Sequence, residues 1–200
     1  MARVRRTQEE RSATMRVRLL DATVACLAER GYARTTTTEV ARRARVSRGA
    51  QLHHFPTKQA LVTTAVEHLF QRRHDEFRAA FARAPARVDR ASAAIDLLWA
   101  MISGPSFHAW LELVVAARTD ARLRRTVAGI TRRFTGSVYQ SFRELFPDSR
   151  AQGDTAPAFA FAVLQGLALD RIAMPDAPHI GHVIDRLKLL GSIVVPEGPR

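Results

Sequence analysis

Apolar residues recur at intervals of three and four along most of this chain, which is the spacing of one buried face of an α-helix. In the first such stretch, about residues 13–30, the apolar positions are Val17, Leu20, Val24 and Leu27. Gly31 follows directly and is expected to end this helix, because glycine favours a helix C-terminus. A long connecting helix is expected over about residues 57–84, with the inward positions Leu61, Ala65, Leu69 and Phe77.

The rest of the chain is also helical by pattern, and glycines and prolines divide it into segments. Five helices are predicted, at about residues 89–103, 106–117, 120–146, 155–173 and 178–193. The third of them has an apolar stripe along its whole length: Leu123, Val127, Ile130, Phe134, Val138, Phe142 and Leu145. No strand-like alternation, internal repeat or low-complexity tract competes with this pattern, so the predicted fold class is all-α.

Residues 35–58 have the polar residues expected of two short helices joined by a turn. Thr36 can cap the first helix and Glu39, three residues later, can close a capping box, so this helix should run to about Ala44. Ser47 can cap the second helix and Pro56 should stop it. This spacing predicts a helix-turn-helix.

The second of these short helices is the candidate reader helix. Its Gly49 and Ala50 leave one side low enough for close approach to another surface. Phe55 should anchor it inward, and Thr57 should cap a third helix whose first turn brings Lys58 beside backbone N–H groups that favour an anion. The expected exposed residues include no carboxylate and can donate to phosphates and base edges: Arg48, Gln51 or Leu52, His53 and His54.

Charge is concentrated near the N-terminus of the 200-residue chain, which has a formal net charge of +12. Residues 1–60 contain 13 basic and 5 acidic residues, a net charge of +8, which predicts a polyanionic partner. Charge alone does not separate DNA from RNA or from an anionic membrane surface. Residues 1–12 are arginine-rich and lack an apolar period; they are expected to be a mobile arm or a helical extension, and such an arm can add phosphate or minor-groove contacts.

The order and spacing of these residues resemble the DNA-binding domain of the TetR family, the tetracycline-repressor-like regulators. The resemblance covers residues 13–73 and is carried by Ala28-Glu29-Arg30-Gly31-Tyr32, the threonine cap, Val40-Ala41-Arg42-Arg43-Ala44, Val46-Ser47-Arg48-Gly49 and His54-Phe55-Pro56-Thr57-Lys58. It implies that operator contacts come from Thr37, Thr38, Ser47, Arg48, Gly49, His53 and Lys58. Four further residues are candidates for DNA contact because of their places in the helix-turn-helix: Thr36, Gln51, Leu52 and His54.

The chain departs from the pattern of this family in its turn and in its reader helix. Arg45 stands where the family usually has glycine, and an arginine at positive φ would cost roughly 1 kcal/mol. Leu52 replaces the usual tyrosine, and it follows Gln51, where an apolar residue is usual.

No motif predicts catalysis. The chain has no glycine-rich phosphate loop, CxxC, HExxH or nucleophile elbow, so we expect no enzymatic activity and no cofactor. His179 and His182 are three residues apart but lack a third ligand nearby, so no metal is expected. Cys26 is interpreted as a core residue of a protein in a reducing compartment. Without a run of about 18 apolar residues or a signal peptide, we expect a cytoplasmic protein and no membrane partner.

The aromatic residues of the C-terminal helices suit either an ordinary core or a ligand cavity. The TetR resemblance implies a small-molecule effector site in this region, and the candidate lining residues are Trp99, Phe107, Trp110, Phe134 and Phe142. Arg118 and Gln165 could orient a polar end of an apolar or amphipathic effector.

A homodimer is expected to form through residues 155–193. Small residues there allow close approach of a partner helix (Ala158, Ala160, Ala162, Gly166 and Ala168), and larger ones supply apolar area (Phe159, Leu164, Leu167 and Leu169).

The expected organisation is therefore a DNA-binding domain at 1–56, a connecting helix at 57–84 and an effector-binding and dimerisation domain at 85–200. The sequence predicts a ligand-responsive regulator that binds a palindromic double-stranded DNA operator, most simply as a repressor. The alternatives are a basic helical protein that binds RNA or anionic surfaces without reading sequence, and a small-molecule enzyme that uses the aromatic bundle.

Overall fold

The computed structural model describes residues 7–83, 89–147, 149 and 155–194. Every regular element in this part of the chain is an α-helix, so the all-α prediction is confirmed. The helices are α1 (Gln8–Arg34), α2 (Thr37–Ala44), α3 (Arg48–His54), α4 (Lys58–Ala82), α5 (Arg90–Ile102), α6 (Pro105–Ala117), α7 (Ala121–Leu145), α8 (Thr155–Ala173) and α9 (His179–Val194).

Helix α1 begins earlier than its apolar pattern predicts. Thr7 accepts a hydrogen bond from the Glu10 N–H at 3.2 Å, and the Glu10 carboxylate accepts from the Thr7 N–H at 2.9 Å. This complete capping box places residues 8–12 in the helix, so that part of the predicted arm is a helical extension. Residues 1–6, the rest of the predicted arm, lie outside the described residues.

Packing divides the chain into two units. The first unit contains the described residues of Met1–Phe70 together with His108–Ile130. The second contains those of Gln71–Phe107 and Thr131–Arg200. The sequence predicted divisions near residues 56 and 85, whereas these boundaries fall inside α4, α6 and α7. The Pro85 region, where the domain boundary was predicted, lies outside the described residues.

The first unit holds two apolar clusters. The first cluster, around α1 to α4, contains Leu19, Leu20, Cys26, Val40, Ala44, Phe55 and Leu61. The second explains why parts of α6 and α7 belong to this unit, because Leu113, Leu123, Val127 and Ile130 pack there with Leu27, Val62 and Val66. Cys26 is fully buried, as predicted, and burial raises the pKa of its thiol.

The second unit has an aromatic cluster of its own. Phe81 and Phe146 are buried with Ala94, and their ring centroids lie 5.5 Å apart. Phe77 and Phe142 pack against this cluster from α4 and α7. Helices α5, α8 and α9 pack against one another in this unit, and the Lys188 ammonium of α9 lies 2.6 Å from the Asp96 carboxylate of α5.

Candidate functional site

The first helix of the helix-turn-helix, α2, begins as predicted but with half of the expected cap. The Thr36 hydroxyl accepts a hydrogen bond from the Glu39 N–H at 3.2 Å. The Glu39 carboxylate does not return to Thr36: it accepts from Arg42 at 2.7 and 2.9 Å and lies 3.1 Å from Arg30. The predicted capping box is therefore wrong in its second half, the bond from the Thr36 N–H to the Glu39 carboxylate. Arginine donors form stronger bonds to a carboxylate than a neutral N–H does. The bond from Arg42 lowers the pKa of Glu39.

The turn after α2 contains the predicted strained residue. Arg45 has φ 54° and ψ 45°, and it is the one residue other than glycine with positive φ in the described part of the chain. Its N–H donates to the Arg42 carbonyl at 3.1 Å, and Arg18 donates to the Arg45 carbonyl at 3.3 Å. The departure from glycine is thus accommodated in the left-handed region, at a cost of roughly 1 kcal/mol.

Helix α3, the candidate reader helix, presents a largely polar outer face. Ser47 caps it by accepting from the Ala50 N–H at 3.2 Å. Arg48 and His53 are exposed, and Arg48 forms no hydrogen bond or ion pair within the described residues. A Cβ added at Gly49 would meet nothing within 4 Å, so this position is open to a surface that approaches closely. Thr36, Thr38, Ser47, Gly49 and Leu52 are likewise exposed, while Thr37 and His54 are half-buried.

Gln51 does not belong to the outer face of α3. The Gln51 side chain is fully buried, and its Nε2 donates to the Phe55 carbonyl at 2.8 Å. This bond satisfies a carbonyl at the C-terminus of α3, while Oε1 has no partner among the described residues. Of the two residues that the sequence left open, Leu52 is the exposed one, at 45%. The family's apolar preference at position 51 was the signal that this position faces inward.

Lys58 lies at the predicted start of α4, but its ammonium faces the end of α1. Its Nζ donates to the Tyr32 carbonyl at 2.6 Å and lies 4.2 Å from the centroid of the Tyr32 ring. Burial lowers the pKa of Lys58. The geometry gives this lysine a structural contact, and its phosphate contact stays a prediction.

The Tyr32 peptide is held from its other side by a residue that the sequence did not indicate. The Glu112 carboxylate accepts from the Tyr32 N–H at 2.8 Å, across 80 positions of sequence. Gly31 adopts φ 75° and ψ 168°, and a Cβ there would lie 2.6 Å from Glu112 Oε2. Gly31 leaves the helical conformation where the sequence predicts the end of the first helix, but helical structure continues beyond it to Arg34. No local pattern marks Glu112, because its partner is distant in sequence.

A cavity of about 140 Å³ lies within the second unit. Residues from α4, α5, α7, α8 and α9 line it, and nearly all of their side chains are apolar. Of the residues predicted to line an effector site, Phe134 and Phe142 line this cavity, whereas Trp99, Phe107 and Trp110 do not. Trp110 packs on the second cluster of the first unit, with its ring 5.0 Å from that of Phe70, and Arg171 lies 5.8 Å from the Trp99 ring. Arg118 and Gln165 do not line the cavity either.

One polar group of side chains borders the cavity. His74 Nε2 lies 2.8 Å from Ser141 Oγ, and both residues belong to the lining. Arg78 donates to Ser141 Oγ at 3.2 Å and to the Glu144 carboxylate at 2.7 Å. Burial and then the positive charge of Arg78 lower the pKa of His74, so its ring is neutral at neutral pH.

The outer faces of α8 and α9 are apolar and exposed. The exposed positions of α8 recur at helical spacing at Phe159, Ala162, Gly166 and Leu169, and α9 exposes Leu189, Leu190 and Ile193. The expectation that Leu164 and Leu167 supply this surface is wrong, because they are 0% and 5% exposed and pack within their own chain.

Helix α8 is also long and apolar enough to cross a membrane by length and composition, whereas the sequence pattern predicts no spanning segment. Only 22% of the residues in its apolar stretch are fully buried, and the others are half-buried or exposed. Core helices of soluble proteins can be equally long and apolar.

Comparisons with known proteins agree with this geometry. Residues 19–65 match a family model described as bacterial regulatory proteins, tetR family. The uncharacterized HTH-type transcriptional regulator Rv2912c of Mycobacterium tuberculosis is 30% identical over 174 residues, or 86% of this chain and 89% of that protein. The HTH-type transcriptional regulator BetI of Burkholderia thailandensis is 32% identical over 169 residues, or 82% of this chain and 84% of BetI. A crystal structure of a transcriptional regulator from Rhodococcus sp. Rha1 is similar in fold, with a TM-score of 0.71, 24% identity and coverage of 92% of this chain and 99% of that one.

Proposed function

Because this chain belongs to the tetR family of bacterial helix-turn-helix transcriptional regulators, we propose that it is a repressor that binds a palindromic DNA operator as a homodimer. A small apolar or amphipathic molecule bound in the second unit would release it from DNA. We assign it to the cytoplasm, where its DNA would be, and expect it to act by binding and not by catalysis.

The outer face of α3 carries this proposal. Arg48 has no partner in the described part of the chain, and its guanidinium can donate two hydrogen bonds to one guanine. Leu52 is exposed beside it and suits the methyl group of thymine. His53 and His54 can contact base edges or phosphates, while Thr36, Thr37, Thr38 and Ser47 can donate to phosphates. Gln51, being buried, is removed from this set.

The dimer is supported by the uncovered faces of α8 and α9. Six of their large apolar residues are 45% to 62% exposed in the single chain: Phe159, Leu169, Ile172, Leu189, Leu190 and Ile193. Contiguous apolar surface of this kind marks an interaction site in soluble proteins. A second copy of the same two helices across a two-fold axis would cover it, and two reader helices would then address two half-sites.

Release from DNA would follow from thermodynamic linkage. Helix α4 begins at Lys58, beside the end of α1, and later contributes His74 and Phe77 to the cavity lining. Suppose that the ligand binds more tightly to a conformation in which α4 is displaced than to the conformation that binds DNA. The ligand must then weaken operator binding by the difference between its affinities for these two conformations. Such coupling is typically about 1–3 kcal/mol.

Selection from a library of random duplexes with the purified protein tests the proposal. We expect enrichment of one sequence with two-fold symmetry, because each protomer of the dimer would read one half-site. Equal recovery of all sequences, with affinity that depends on salt only, would instead identify a basic protein that binds polyanions without reading them.

A further inference from the structure

The cavity in the second unit combines an apolar lining with a single uncharged polar site. We propose that it takes a neutral one-ring molecule carrying a hydroxyl group, and that this hydroxyl binds the Ser141 and His74 side chains. This inference rests on the proposed function of the cavity as the effector site. It specifies the chemical class of the effector and the residues that select it.

The polar side chains that line the cavity all lie at one place. Among its described lining residues, His74 and Ser141 alone bring nitrogen or oxygen atoms on their side chains. Ser141 is 2% exposed and sits on α7, one helical turn after Val138, which also lines the cavity. Inside the cavity, a ligand therefore has one place to satisfy a polar group, and the part of its surface that contacts the remaining lining should be apolar.

Ionised ligands are poorly matched to this polar site. Arg78 donates to Ser141 but does not itself line the cavity, and the Glu144 carboxylate already accepts from it at 2.7 Å. Gln140 donates to the other Glu144 oxygen at 2.9 Å, so this ion pair is already well satisfied. A ligand carboxylate would therefore lack a free cation, and a ligand ammonium would face a neutral imidazole. Burying either charge without a partner costs several kcal/mol.

A hydroxyl matches the hydrogen-bonding capacity that Ser141 retains. Its oxygen has two acceptor positions and one donor, and Arg78 occupies one acceptor position. If His74 Nε2 donates to Ser141, the Ser141 O–H remains free to donate to a ligand oxygen. If Ser141 donates to Nε2, one lone pair remains to accept from a ligand O–H. Because a hydroxyl both donates and accepts, it fits either tautomer of His74.

The size of the cavity is sufficient for a single ring. Its volume is about 140 Å³. An apolar cavity of roughly 150 Å³ engineered in another protein stays dry and binds benzene. Phe134 and Phe142 line this cavity, and aromatic side chains favour edge-to-face contacts with another ring. A substituted phenol or a cyclic alcohol meets all of these conditions.

Four probes of nearly equal shape test the selection directly: 4-ethylphenol, ethylbenzene, 4-ethylbenzoate and 4-ethylbenzylammonium. Their dissociation constants for the full-length protein are measured by titration calorimetry at pH 7.5. We expect 4-ethylphenol to bind most tightly, about 5-fold more tightly than ethylbenzene for one net hydrogen bond. The two ions should bind at least about 10-fold more weakly than the phenol. Equal or tighter binding of either ion, or no binding of the phenol up to its solubility, overturns the proposal.

A pair of serine variants assigns the hydroxyl to its site. Ser141→Ala should reduce the preference for 4-ethylphenol over ethylbenzene to about 1-fold, since one hydrogen bond accounts for it. Ser137→Ala is the matched control, because Ser137 lies on the same helix, donates to the Arg133 carbonyl at 3.1 Å and does not line the cavity. The control should keep the full preference, and an unchanged preference in Ser141→Ala contradicts the assignment. The probe series on the unaltered protein decides the chemical class even if Ser141→Ala fails to fold.

Operator binding in the presence of the same probes separates this inference from the proposed function. If 4-ethylphenol binds with the expected selectivity but leaves DNA affinity unchanged, the ligand class stands and the release mechanism fails. If only an ionised compound both binds the second unit and releases DNA, the release mechanism stands and the ligand class fails.

Discussion

Helices α3 and α8 both leave a face uncovered, yet the chemistry of the two faces is opposite. On α3 the exposed residues include Arg48 and His53, while Gln51 and Phe55 turn inward and are buried. On α8 the exposed residues include Phe159 and Leu169, although this helix also buries apolar residues in its own unit. A polar face on which Arg48 has no partner among the described residues suits a hydrated polyanion. An apolar face left over after the core is filled suits another protein surface.

The largest expected effect is on the apolar face. We expect the double variant Leu169→Arg, Leu189→Arg to be monomeric, because each buried arginine would lack a partner across a two-fold interface. The dimer should weaken by at least about 3 kcal/mol, or roughly 100-fold. Sedimentation velocity measures the mass. Val115→Arg is the control, since Val115 is 58% exposed on α6 in the first unit and should leave the mass unchanged.

A dimer mass in the Leu169→Arg, Leu189→Arg protein would place the interface elsewhere. Arginine at Leu164 or Leu167 would be a poorer test, since both residues are buried in their own chain and the variant would lose its fold.

The polar face of α3 should respond in DNA affinity with no change in mass. We expect Arg48→Ala to weaken binding to the selected duplex by about 1–3 kcal/mol and to relax the preference at one base pair in each half-site. Fluorescence anisotropy with a set of single-base variants of the duplex measures both. Arg42→Ala is the matched control, because Arg42 is an exposed arginine on α2 whose guanidinium is held by Glu39. An equal loss on selected and random duplexes would remove Arg48 from base reading.

The bend at the end of α1 should affect stability. Gly31→Ala should reduce the free energy of unfolding by roughly 1–3 kcal/mol, because φ 75° with ψ 168° is a conformation that almost only glycine adopts. The new Cβ would also displace the Glu112 carboxylate from the Tyr32 N–H. Gly136→Ala is the control on α7, where a Cβ meets nothing within 4 Å and stability should be unchanged or higher. Denaturant unfolding measures both, and equal stabilities would show that Gly31 bears no constraint.

The smallest effect is a pH dependence in the second unit. Arg78, Asp75 and Glu144 act on His74, and burial first and then Arg78 lower its pKa below the ordinary 6.5. The unfolded chain therefore takes up a proton that the folded chain resists, so stability is present above about pH 6.5 and declines as pH falls below it. We expect His74→Gln to show a shallower loss of melting temperature between about pH 7 and pH 5. An identical slope would mean that the folded protein does not resist protonation of His74.

Local signals predicted most of the first unit. The caps at Thr36 and Ser47, the left-handed Arg45 and the two short helices depend on residues within a few positions of one another. The capping box at Thr7 and Glu10 was equally visible, although the apolar pattern placed the start of α1 later. These features could be read from the sequence because their partners are near in the chain.

Long-range contacts could not be predicted in the same way. The Glu112 carboxylate accepts from the Tyr32 N–H, and the Lys58 ammonium donates to the Tyr32 carbonyl. No pattern in the sequence indicates that either residue has Tyr32 as its partner. In the second unit, aromatic residues fill both the core and the cavity lining, so composition did not separate Phe142 from Trp110. The apolar stripe of α8 was visible, but which of its leucines face outward depends on the packing of α5 and α9.

A competition experiment tests whether the first unit reads a particular DNA sequence. The affinity of the protein for the duplex enriched by selection is compared with that for a scrambled duplex of equal length and composition, at about 150 mM salt. A specific regulator should prefer the enriched duplex by about 1,000-fold or more. Affinities within a few-fold of each other, with the same salt dependence, would contradict the account and leave a basic helical protein that binds polyanions by charge.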